Sequence, residues 1–422
     1  MANTMIDLGE ASAVPATEAG PPVPWRALLG TLSVLLLALT AGSAVSTPFP
    51  AATVIPARLA DSTFIDGDRL FLVTRGLIKT YSLPDGHLLS RTTVAVTGSV
   101  SNVLEAGDTL VVSYQIDQDG DQGTVAVVAG TDRVLWRRLD GLAGASGRAG
   151  VALLSTGYGA RNQAVWQAVD LHTGALRWST TQPADGYTMV TGPIDEYPQW
   201  FVTVQADGRI ETRDALTGRI TATRHGPPID PHANSIVWPV GDLAIIGGPS
   251  GGVTAYRLPG LTPVWNTRVD LSQTWMQTDC GLVLCAFRPQ QGIVVLDPAD
   301  GRLLWESRRW AYAEPAGPYL VAAMLNRDGD APAYWVLEPR TGRVLGTFGG
   351  WDVVASDSVQ PTLYGIHLVP GQNTIFYGAL DPVRRSATIL GRAEAVNGNC
   401  QTSADALVCR RADASVGIWQ LR

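Results

Sequence analysis

Acidic residues at alternate positions form the most metal-like pattern in this chain. The segment DQDGDQG (117–123) places Asp117, Asp119 and Asp121 two residues apart, and NRDGD (326–330) has a similar spacing. Carboxylate oxygens at such intervals can wrap a Ca²⁺ ion. The full calcium-loop pattern is absent, however, because no Glu follows at its twelfth position. We therefore interpret both segments as solvated hairpin loops, keep the three aspartates as weak metal candidates, and expect no bound metal or cofactor.

One serine stands in the pattern of a hydrolase nucleophile. GPSGG (248–252) matches Gly-x-Ser-x-Gly around Ser250, a motif in which the serine sits between a strand and a helix. Here VTAYRL (253–258) follows, and it alternates like a strand. We interpret the motif as a glycine-rich hairpin turn and predict no catalytic residue in the chain.

The histidines give no support to zinc chemistry. A zinc site needs several His, Cys or carboxylate ligands brought together, often at short spacings. The chain contains no His-x-x-x-His pair, and its five histidines are scattered: His87, His172, His225, His232 and His367. We expect most of them to lie in turns.

Charge and length exclude one class of partner and indicate a modular fold. The chain has 422 residues, more than one ordinary core requires, with 45 Gly and 27 Pro that suit short strands and tight turns. Its net charge is −7, and it has no basic run interleaved with aromatic residues. We therefore expect no nucleic-acid partner.

A single apolar segment near the N-terminus has the length of a membrane span. Residues 27–46, ALLGTLSVLLLALTAGSAVS, carry no charge, and a transmembrane helix needs about 20 such residues. Arg26 flanks the segment on its N-terminal side, which favours a cytoplasmic N-terminus. We predict a transmembrane helix over 26–46, a disordered cytoplasmic tail over 1–25, and export of the rest.

A cleaved signal peptide is the alternative for this segment. Ser43 and Ala44 are small residues near a possible cleavage site. A signal peptide has a short, positively charged leader, whereas this leader carries Asp7, Glu10 and Glu18. We favour the uncleaved anchor, and with it a single-pass protein of the cell membrane whose larger part is extracytoplasmic.

The predicted outer part repeats one pattern eight times. Each unit has an alternating strand, a turn rich in Pro, Asp, Thr or Gly, and a second alternating strand, and successive units start about 40 to 46 residues apart. Another apolar run precedes each of them. Four strands in a unit of ~42 residues are the signature of a β-propeller blade. The turn blocks are TYSLPDGHLLS (80–90), AVVAGTDRVLW (126–136), AVDLHTGALRW (168–178), TRDALTGRITA (212–222), AYRLPGLTPVW (255–265), VLDPADGRLLW (295–305), VLEPRTGRVLG (336–346) and ALDPVRRSATI (379–389).

The composition of the turn has a physical reason. In residues 168–178 we expect Gly174 to adopt a positive φ, which a side chain would resist, and Asp170 to hydrogen-bond the turn backbone. Trp178, four residues beyond the glycine, is expected to bury its ring against the next blade. The residues to which we assign these structural roles are Trp136, Asp170, Gly174, Trp178, Gly218, Trp265, Asp297, Gly301, Trp305 and Gly342.

This segment resembles the tryptophan-docking motif of the pyrroloquinoline-quinone-like (quinoprotein-type) β-propellers, Ala-x-Asp-x-x-Thr-Gly-x-x-x-Trp. Residues 168–178 match it fully, and residues 295–305 match its Asp, Gly and Trp. The resemblance covers residues 60–422 and implies a membrane-anchored bacterial member of that family. It implies an all-β propeller of four-stranded antiparallel blades, preceded by one transmembrane helix. Eight blades are the common number in the family.

The turn blocks leave the number of blades open. Three more possible strands follow the eighth block, around 399–401, in ALVCRR (406–411) and in VGIWQLR (416–422). With residues 47–59, which are either a linker or a closing strand, they would make a ninth unit. We predict eight blades, with seven or nine as alternatives.

Quinone oxidation is the enzymatic activity that the resemblance suggests. In the family it depends on a vicinal Cys-Cys disulfide, on carboxylate and amide ligands for Ca²⁺ and on a catalytic Asp. The chain has no Cys-Cys pair and no Cys-x-x-Cys-His haem site. We therefore expect a protein without enzymatic activity, with a quinone- and Ca²⁺-dependent oxidoreductase as the minor alternative.

The four cysteines lie in the predicted outer part, where thiols oxidise. Aligning the repeat units places LVLC on ALVC, so that Cys285 and Cys409 occupy equivalent strand positions. Each has a cysteine just upstream, at the end of the preceding strand. We predict the disulfides Cys280–Cys285 and Cys400–Cys409; free thiols or a metal site are the alternatives.

Aromatic residues near the links between units are candidates for a partner surface. In a propeller these links share a face with the loops between second and third strands, around the mouth of the channel. Exposed aromatic side chains there would dominate a binding interface. The candidates are Tyr187, Trp275, Trp310, Tyr312 and Trp351; packing between blades is the alternative role.

These observations favour a non-catalytic binding or scaffold protein that presents a monomeric propeller at the cell membrane. A propeller is a rigid disc that holds loops on a fixed frame, and its partner would be a protein or a cell-envelope ligand. An extracytoplasmic sensor that signals through the N-terminal tail is a second alternative. The sequence identifies neither the ligand nor the face that binds it.

Overall fold

The computed structural model describes most of the chain beyond residue 51. The described ranges are 52–116, 122–156, 164–191, 197–230, 236–248, 252–274, 276–324, 334–356, 362–369, 371–403 and 405–422. The predicted tail and transmembrane helix lie outside them, as do Asp117, Asp119, Asp121, Ser250 and Trp275. Within the described ranges, no helix combines the length and hydropathy that a membrane span requires.

Every regular element of the described residues is a β-strand, and the strands form nine sheets. Strand β1 (Thr53–Ile55) comes first and belongs to the last sheet. Blade 1 consists of β2 (Ser62–Asp66), β3 (Arg69–Thr74), β4 (Leu77–Ser82) and β5 (Leu88–Thr93). Blade 2 consists of β6 (Ser99–Ala106), β7 (Thr109–Gln115), β8 (Gln122–Val128) and β9 (Val134–Arg138). Blade 3 consists of β10 (Gly141–Ser146), β11 (Val151–Ser155), β12 (Val165–Asp170) and β13 (Leu176–Thr181).

The middle blades repeat this arrangement. Blade 4 consists of β14 (Gly186–Val190), β15 (Trp200–Gln205), β16 (Arg209–Asp214) and β17 (Ile220–His225). Blade 5 consists of β18 (Ile236–Val240), β19 (Leu243–Gly247), β20 (Val253–Arg257) and β21 (Thr262–Thr267). Blade 6 consists of β22 (Met276–Asp279), β23 (Leu284–Arg288), β24 (Gly292–Leu296) and β25 (Leu303–Ser307).

The last three blades are less regular. Blade 7 consists of β26 (Trp310–Ala316), β27 (Tyr319–Met324), β28 (Tyr334–Leu337) and β29 (Val344–Thr347). Blade 8 consists of β30 (Asp352–Val353), β32 (Leu363–Leu368), β33 (Thr374–Asp381) and β34 (Ser386–Glu394). Blade 9 consists of β35 (Val396–Ser403), β36 (Ala406–Arg411), β37 (Val416–Gln420) and β1. Strand β31 (Ala355–Ser356) leaves blade 8 and pairs in parallel with β35, as a fifth strand of blade 9.

We call the four strands of a blade A to D in the order of their pairing. The A strands of neighbouring blades contact each other, as β14 does β18, so the A strands lie nearest the axis of the ring. Because neighbouring strands are antiparallel, the A–B and C–D turns lie on one face, which we call the turn face. The B–C loops and the D–A links between blades lie on the other, which we call the link face.

The expected count of eight blades is wrong, because the ring has nine. All eight turn blocks are the C–D turns of blades 1 to 8. Blade 9 takes its D strand from the other end of the chain: β1 pairs with β37, with Thr53 opposite Ile418 and Ile55 opposite Val416. A blade whose C and D strands are not consecutive has no C–D turn, so this blade leaves no turn block in the sequence.

The C–D hairpins share a feature that the sequence did not predict. In each of blades 1 to 8 the pairing of C with D shifts register once, for example between Ala168 and Val169 in blade 3. Such a bulge increases the local twist of a sheet. The bulge lies just before the position of the docking tryptophan, where the D strand must turn its ring towards the next blade.

The core lies between the blades. Most B strands are buried on both faces and therefore read as apolar runs, as in TLVVSYQ of β7 and LAIIG of β19. Each seam between blades has its own cluster; that between blades 5 and 6 contains Ile245, Trp265 and Leu284. Burying one such aliphatic side chain contributes about 1.5–3 kcal/mol, so the seams hold the ring together.

Candidate functional site

Four tryptophans of the turn repeat join consecutive blades. Trp136 of blade 2 donates its indole N–H to the carbonyl oxygen of Leu171 in the C–D turn of blade 3, at 2.7 Å. Gly174 of the same turn has a φ of +67°. A Cβ on Gly174 would lie 2.7 Å from the Cβ of Trp136. Two features therefore require a glycine at position 174: the positive φ of its backbone, and the ring of Trp136 from the preceding blade, which lies against it.

Three other seams repeat this geometry. Trp178, Trp265 and Trp305 each donate the indole N–H to a turn carbonyl of the next blade, at 3.1, 2.9 and 2.7 Å respectively. Each ring also covers the turn glycine of that blade. These glycines are Gly218, Gly301 and Gly342, with φ of +69°, +69° and +67°.

The seam between blades 7 and 8 inverts the pair. The D strand carries Gly346 where a tryptophan would stand, and the turn carries Arg385, with a φ of +56°, where a glycine would stand. A Cβ on Gly346 would lie 2.7 Å from the Cδ of Arg385, and this arginine donates to the carbonyl of Leu345 at 3.3 Å. A large side chain from the turn thus replaces one from the strand.

The turn carboxylates are engaged in holding the turns. Asp170 accepts hydrogen bonds from the backbone N–H groups of His172 and Thr173, at 3.1 and 3.0 Å. The Arg177 guanidinium, 2.8 Å away, is the main cause that lowers the pKa of Asp170 to about 2. Asp297 is held in the same way: its backbone hydrogen bond from Ala299, with Arg340, lowers its pKa. These aspartates stabilise the frame.

The cysteines pair as predicted. Cys280 is joined to Cys285 and Cys400 to Cys409, with Cα–Cα distances of 5.9 and 4.2 Å. The first bridge spans the A–B turn of blade 6, and the second links the A and B strands of blade 9. No free cysteine is present in the described part of the chain. Among those residues, His, Cys, Asp and Glu form no group of three that could hold a metal ion.

The aromatic candidates for a partner surface do not share one environment. Trp310 is only 2% exposed and packs in the cluster between blades 6 and 7, so inter-blade packing is its role. Tyr187, Tyr312 and Trp351 are half-buried, and each packs against a core cluster. Trp275 lies outside the described residues. The four candidates within the described residues therefore do not form one exposed aromatic patch.

A polar cluster that the sequence did not single out lies where blades 7 and 8 meet, on β26 and β28 of blade 7 and β30 of blade 8. The hydroxyl oxygens of Tyr312 and Tyr334 are 2.9 Å apart. Burial raises the pKa of both tyrosines, and the nearby carboxylates of Glu314 and Asp352 raise it further. Glu314 keeps solvent access, yet the surrounding protein raises its pKa by disfavouring the charge.

Asp352 belongs to the same cluster. Burial raises the pKa of Asp352, and His367 opposes this rise. His367 contacts the carbonyl oxygen of Gly350 through Nδ1 at 2.6 Å and lies against the ring of Trp351, with centroids 5.8 Å apart. Tyr312 and Glu314 are two residues apart on one strand and so share a face. The spacing of Tyr312 and Glu314 is the only trace of this cluster in the sequence. The rest of the cluster could not be predicted from a local pattern, because Asp352 comes from the next blade.

Comparison with known proteins shows a similarity of fold only. No protein-family model matches the chain, and no curated protein matches it. BamB from Moraxella catarrhalis is 15% identical, with a TM-score of 0.43 over 89% of this chain and 98% of that one. The computationally designed protein Ika8 is 13% identical, with a TM-score of 0.45 over 77% of this chain and 97% of that one. The C-terminal WD40 domain of Sif2 is 8% identical, with a TM-score of 0.42 over 89% of this chain and 99% of that one.

Proposed function

We propose that the protein is a non-catalytic scaffold, held at the cell membrane by residues 26–46 and presenting its propeller outside the cytoplasm to a protein partner. The observation that carries this proposal is how the repeat uses its polar groups. The turn carboxylates Asp170 and Asp297 are engaged in turn hydrogen bonds and ion pairs. A rigid ring whose turns hold its own frame offers a fixed surface for binding.

The two disulfides support an extracytoplasmic location. Disulfides form and persist in oxidising compartments and are rare in the cytosol. Both bridges close short segments, with sequence separations of 5 and 9 residues. The strand that closes the ring, β1, begins at the turn face, because its first residue, Thr53, bonds the C–D turn of blade 1 at Asp85.

The location can be tested on the full chain in membranes. Treatment with a maleimide-coupled polymer should retard the protein on a gel only after reduction, because all four cysteines are paired. A protease added to intact spheroplasts should digest the propeller. Thiols that label without reduction, together with a propeller protected from the protease, would show that the domain faces the cytoplasm.

The binding role can be tested by crosslinking from matched positions. A photo-crosslinking amino acid at Arg268 on the link face should give a discrete adduct in cells. The same residue at Arg219, an exposed arginine on the turn face, serves as the control and should give none. Adducts from Arg219 alone would assign binding to the opposite face, and their absence from both positions would contradict the scaffold role.

A further inference from the structure

One arginine of the link face is held between two tryptophan rings. The guanidinium carbon of Arg309 lies 4.5 Å from the ring centroid of Trp310 and 4.5 Å from that of Trp335. The two centroids are 6.3 Å apart and the rings are tilted by 52°, so they form a notch that the guanidinium fills. The attraction between a cation and the faces of two indoles restricts the orientation of this side chain.

The hydrogen-bonding capacity of Arg309 is unused within the described residues. A guanidinium has five N–H donors in a planar fork. The faces of the two indole rings do not accept hydrogen bonds from these donors in the way that carboxylate oxygens do. Arg309 is exposed, and no described carboxylate or carbonyl oxygen pairs with its guanidinium. The side chain is thus a positioned donor that faces solvent. A planar oxyanion is the acceptor that such a fork matches best.

Further cations lie on the same face of neighbouring blades. Arg308 and Arg268 are both exposed, and each stands three residues after the docking tryptophan of its blade. His225 is exposed at the equivalent place in blade 4. Because the position is the same in each repeat, these side chains follow one another around the rim. We call Arg268, Arg308 and Arg309, with His225, the basic arc.

Two acids near the arginines of the basic arc, Glu306 and Asp270, are engaged with other groups. Glu306 pairs with Arg288 at 3.5 Å, and the same arginine donates to the carbonyl oxygen of Asp270 at 2.6 Å. Hydrogen bonds from Ser272 lower the pKa of Asp270, with Arg288 again contributing. Arg288 thus pairs with the Glu306 carboxylate, while the Asp270 carboxylate accepts its hydrogen bonds from Ser272. The three arginines of the basic arc stand on a chain whose net charge is −7.

We propose that the basic arc binds a carboxylate-rich segment of a protein partner, with the guanidinium of Arg309 as its anchoring donor. This inference rests on the proposed scaffold function and names the chemistry of its partner. Charge complementarity selects an acidic ligand, and the fixed fork selects a carboxylate that can accept two parallel hydrogen bonds. The acidic character of the rest of the protein disfavours a long polyanion such as a nucleic acid.

The test uses the full chain in detergent and a fluorescein-labelled peptide rich in glutamate. Its counterpart has every Glu replaced by Gln. Fluorescence anisotropy should show saturable binding of the Glu peptide that weakens as salt is added, because exposed charges are screened. The Gln peptide should not bind. Equal binding of both peptides would overturn the proposal.

Two substitutions test the role of Arg309. Arg309→Gln should weaken binding about tenfold, the effect of losing one charge-assisted bidentate contact. Arg309→Lys keeps the charge but loses the planar fork of donors. Its affinity for the peptide should lie between those of the unaltered protein and Arg309→Gln. The matched control, Arg219→Gln on the turn face, should bind like the unaltered protein. Unchanged binding by Arg309→Gln would overturn the proposal.

Two outcomes separate this inference from its alternatives. Arg308→Gln removes an exposed cation outside the tryptophan notch, so a weaker loss of about twofold is expected even if Arg309→Gln disturbs the local fold. A single-stranded oligonucleotide of equal charge that binds more tightly, with the same dependence on Arg309, would overturn the carboxylate assignment. Loss of peptide binding with intact crosslinking from Arg268 would contradict this inference and leave the scaffold function standing.

Discussion

At four seams of the ring a tryptophan and a glycine from neighbouring blades act as one unit. Trp136 and Gly174 show why the pair is inseparable: the ring fills the space that a side chain on the glycine would need. The seam between blades 7 and 8 shows that the roles can be exchanged, since Arg385 covers Gly346 there. At each of these five seams a large side chain from one blade packs against a glycine of its neighbour.

Gly174→Ala should lower the free energy of unfolding by about 2–5 kcal/mol. The left-handed backbone costs an alanine about 1–2 kcal/mol, and the clash with Trp136 adds about 1–3 kcal/mol. Gly317→Ala is the matched control, because Gly317 has a φ of +60° but nothing within 4 Å of an added Cβ. Urea unfolding measures both. Equal losses in the two variants would show that the contact with Trp136 contributes nothing.

Asp170 should make the stability of the folded protein decrease as the pH falls. Arg177 lowers the pKa of Asp170 to about 2 in the folded protein, below the ordinary value of an unfolded aspartate. A depressed pKa stabilises the fold above the unfolded value, and this is lost as pH falls through the folded one. Thermal midpoints from about pH 5 down to pH 2 should therefore fall less steeply in Asp170→Asn. The exposed Asp132→Asn is the control and should follow the unaltered protein; identical slopes in all three would refute the role of Asp170.

Strand β1 has only three residues, yet it completes the last blade and closes the ring. It is the D strand of blade 9 and the only element from the start of the described chain in that blade. Ile55 is 3% exposed and packs with Val416, Ile418 and Leu70 of blade 1, whereas Val54 is 44% exposed. The alternation within three residues therefore decides which side chain closes the ring.

Ile55→Ala should destabilise the protein by about 2–5 kcal/mol, the usual cost of a cavity in a core. Hydrogen exchange of the backbone amides in β37 should become faster, while that of β20 on the far side of the ring changes less. Val54→Ala should change stability by less than about 0.5 kcal/mol, as exposed substitutions do. A uniform increase of exchange in both strands would show that closure is not a local event.

At the scale of the whole molecule, the ring is a frame whose repeat positions serve packing. A quinone enzyme would need carboxylates to bind Ca²⁺. The repeated aspartates Asp170 and Asp297 instead accept hydrogen bonds from the backbone of their own turns. In the polar cluster of Tyr312, Tyr334, Glu314 and Asp352, two carboxylates lie near two tyrosine hydroxyl groups.

Added pyrroloquinoline quinone and Ca²⁺ should leave the thermal midpoint of the full chain unchanged. A ligand that binds only the folded state raises this midpoint by mass action, by an amount set by its concentration relative to its Kd. A rise that needs both additives would support the oxidoreductase alternative. In that case Glu314→Gln should abolish the rise if the polar cluster is the site, and the exposed Asp132→Asn should not.

The sequence by itself determined the repeat, the turn chemistry, the docking pairs and both disulfides. All of these depend on local spacing: a turn fixes which residue needs a positive φ, and residues a few positions apart share a hairpin. Trp136 and Gly174 were predictable because each repeats at a fixed place in the unit.

Only the tertiary structure decided the number of blades, the burial of Trp310 and the positions of Arg309 and Glu314. Each of these depends on contacts between distant parts of the chain. The ninth blade has no turn block because β1 and β37 come from opposite ends of the sequence, and the notch around Arg309 needs a ring from β28 beside one from β26. Local patterns specify a blade, whereas contacts between strands that are distant in the sequence decide how many blades form and where Arg309 is held.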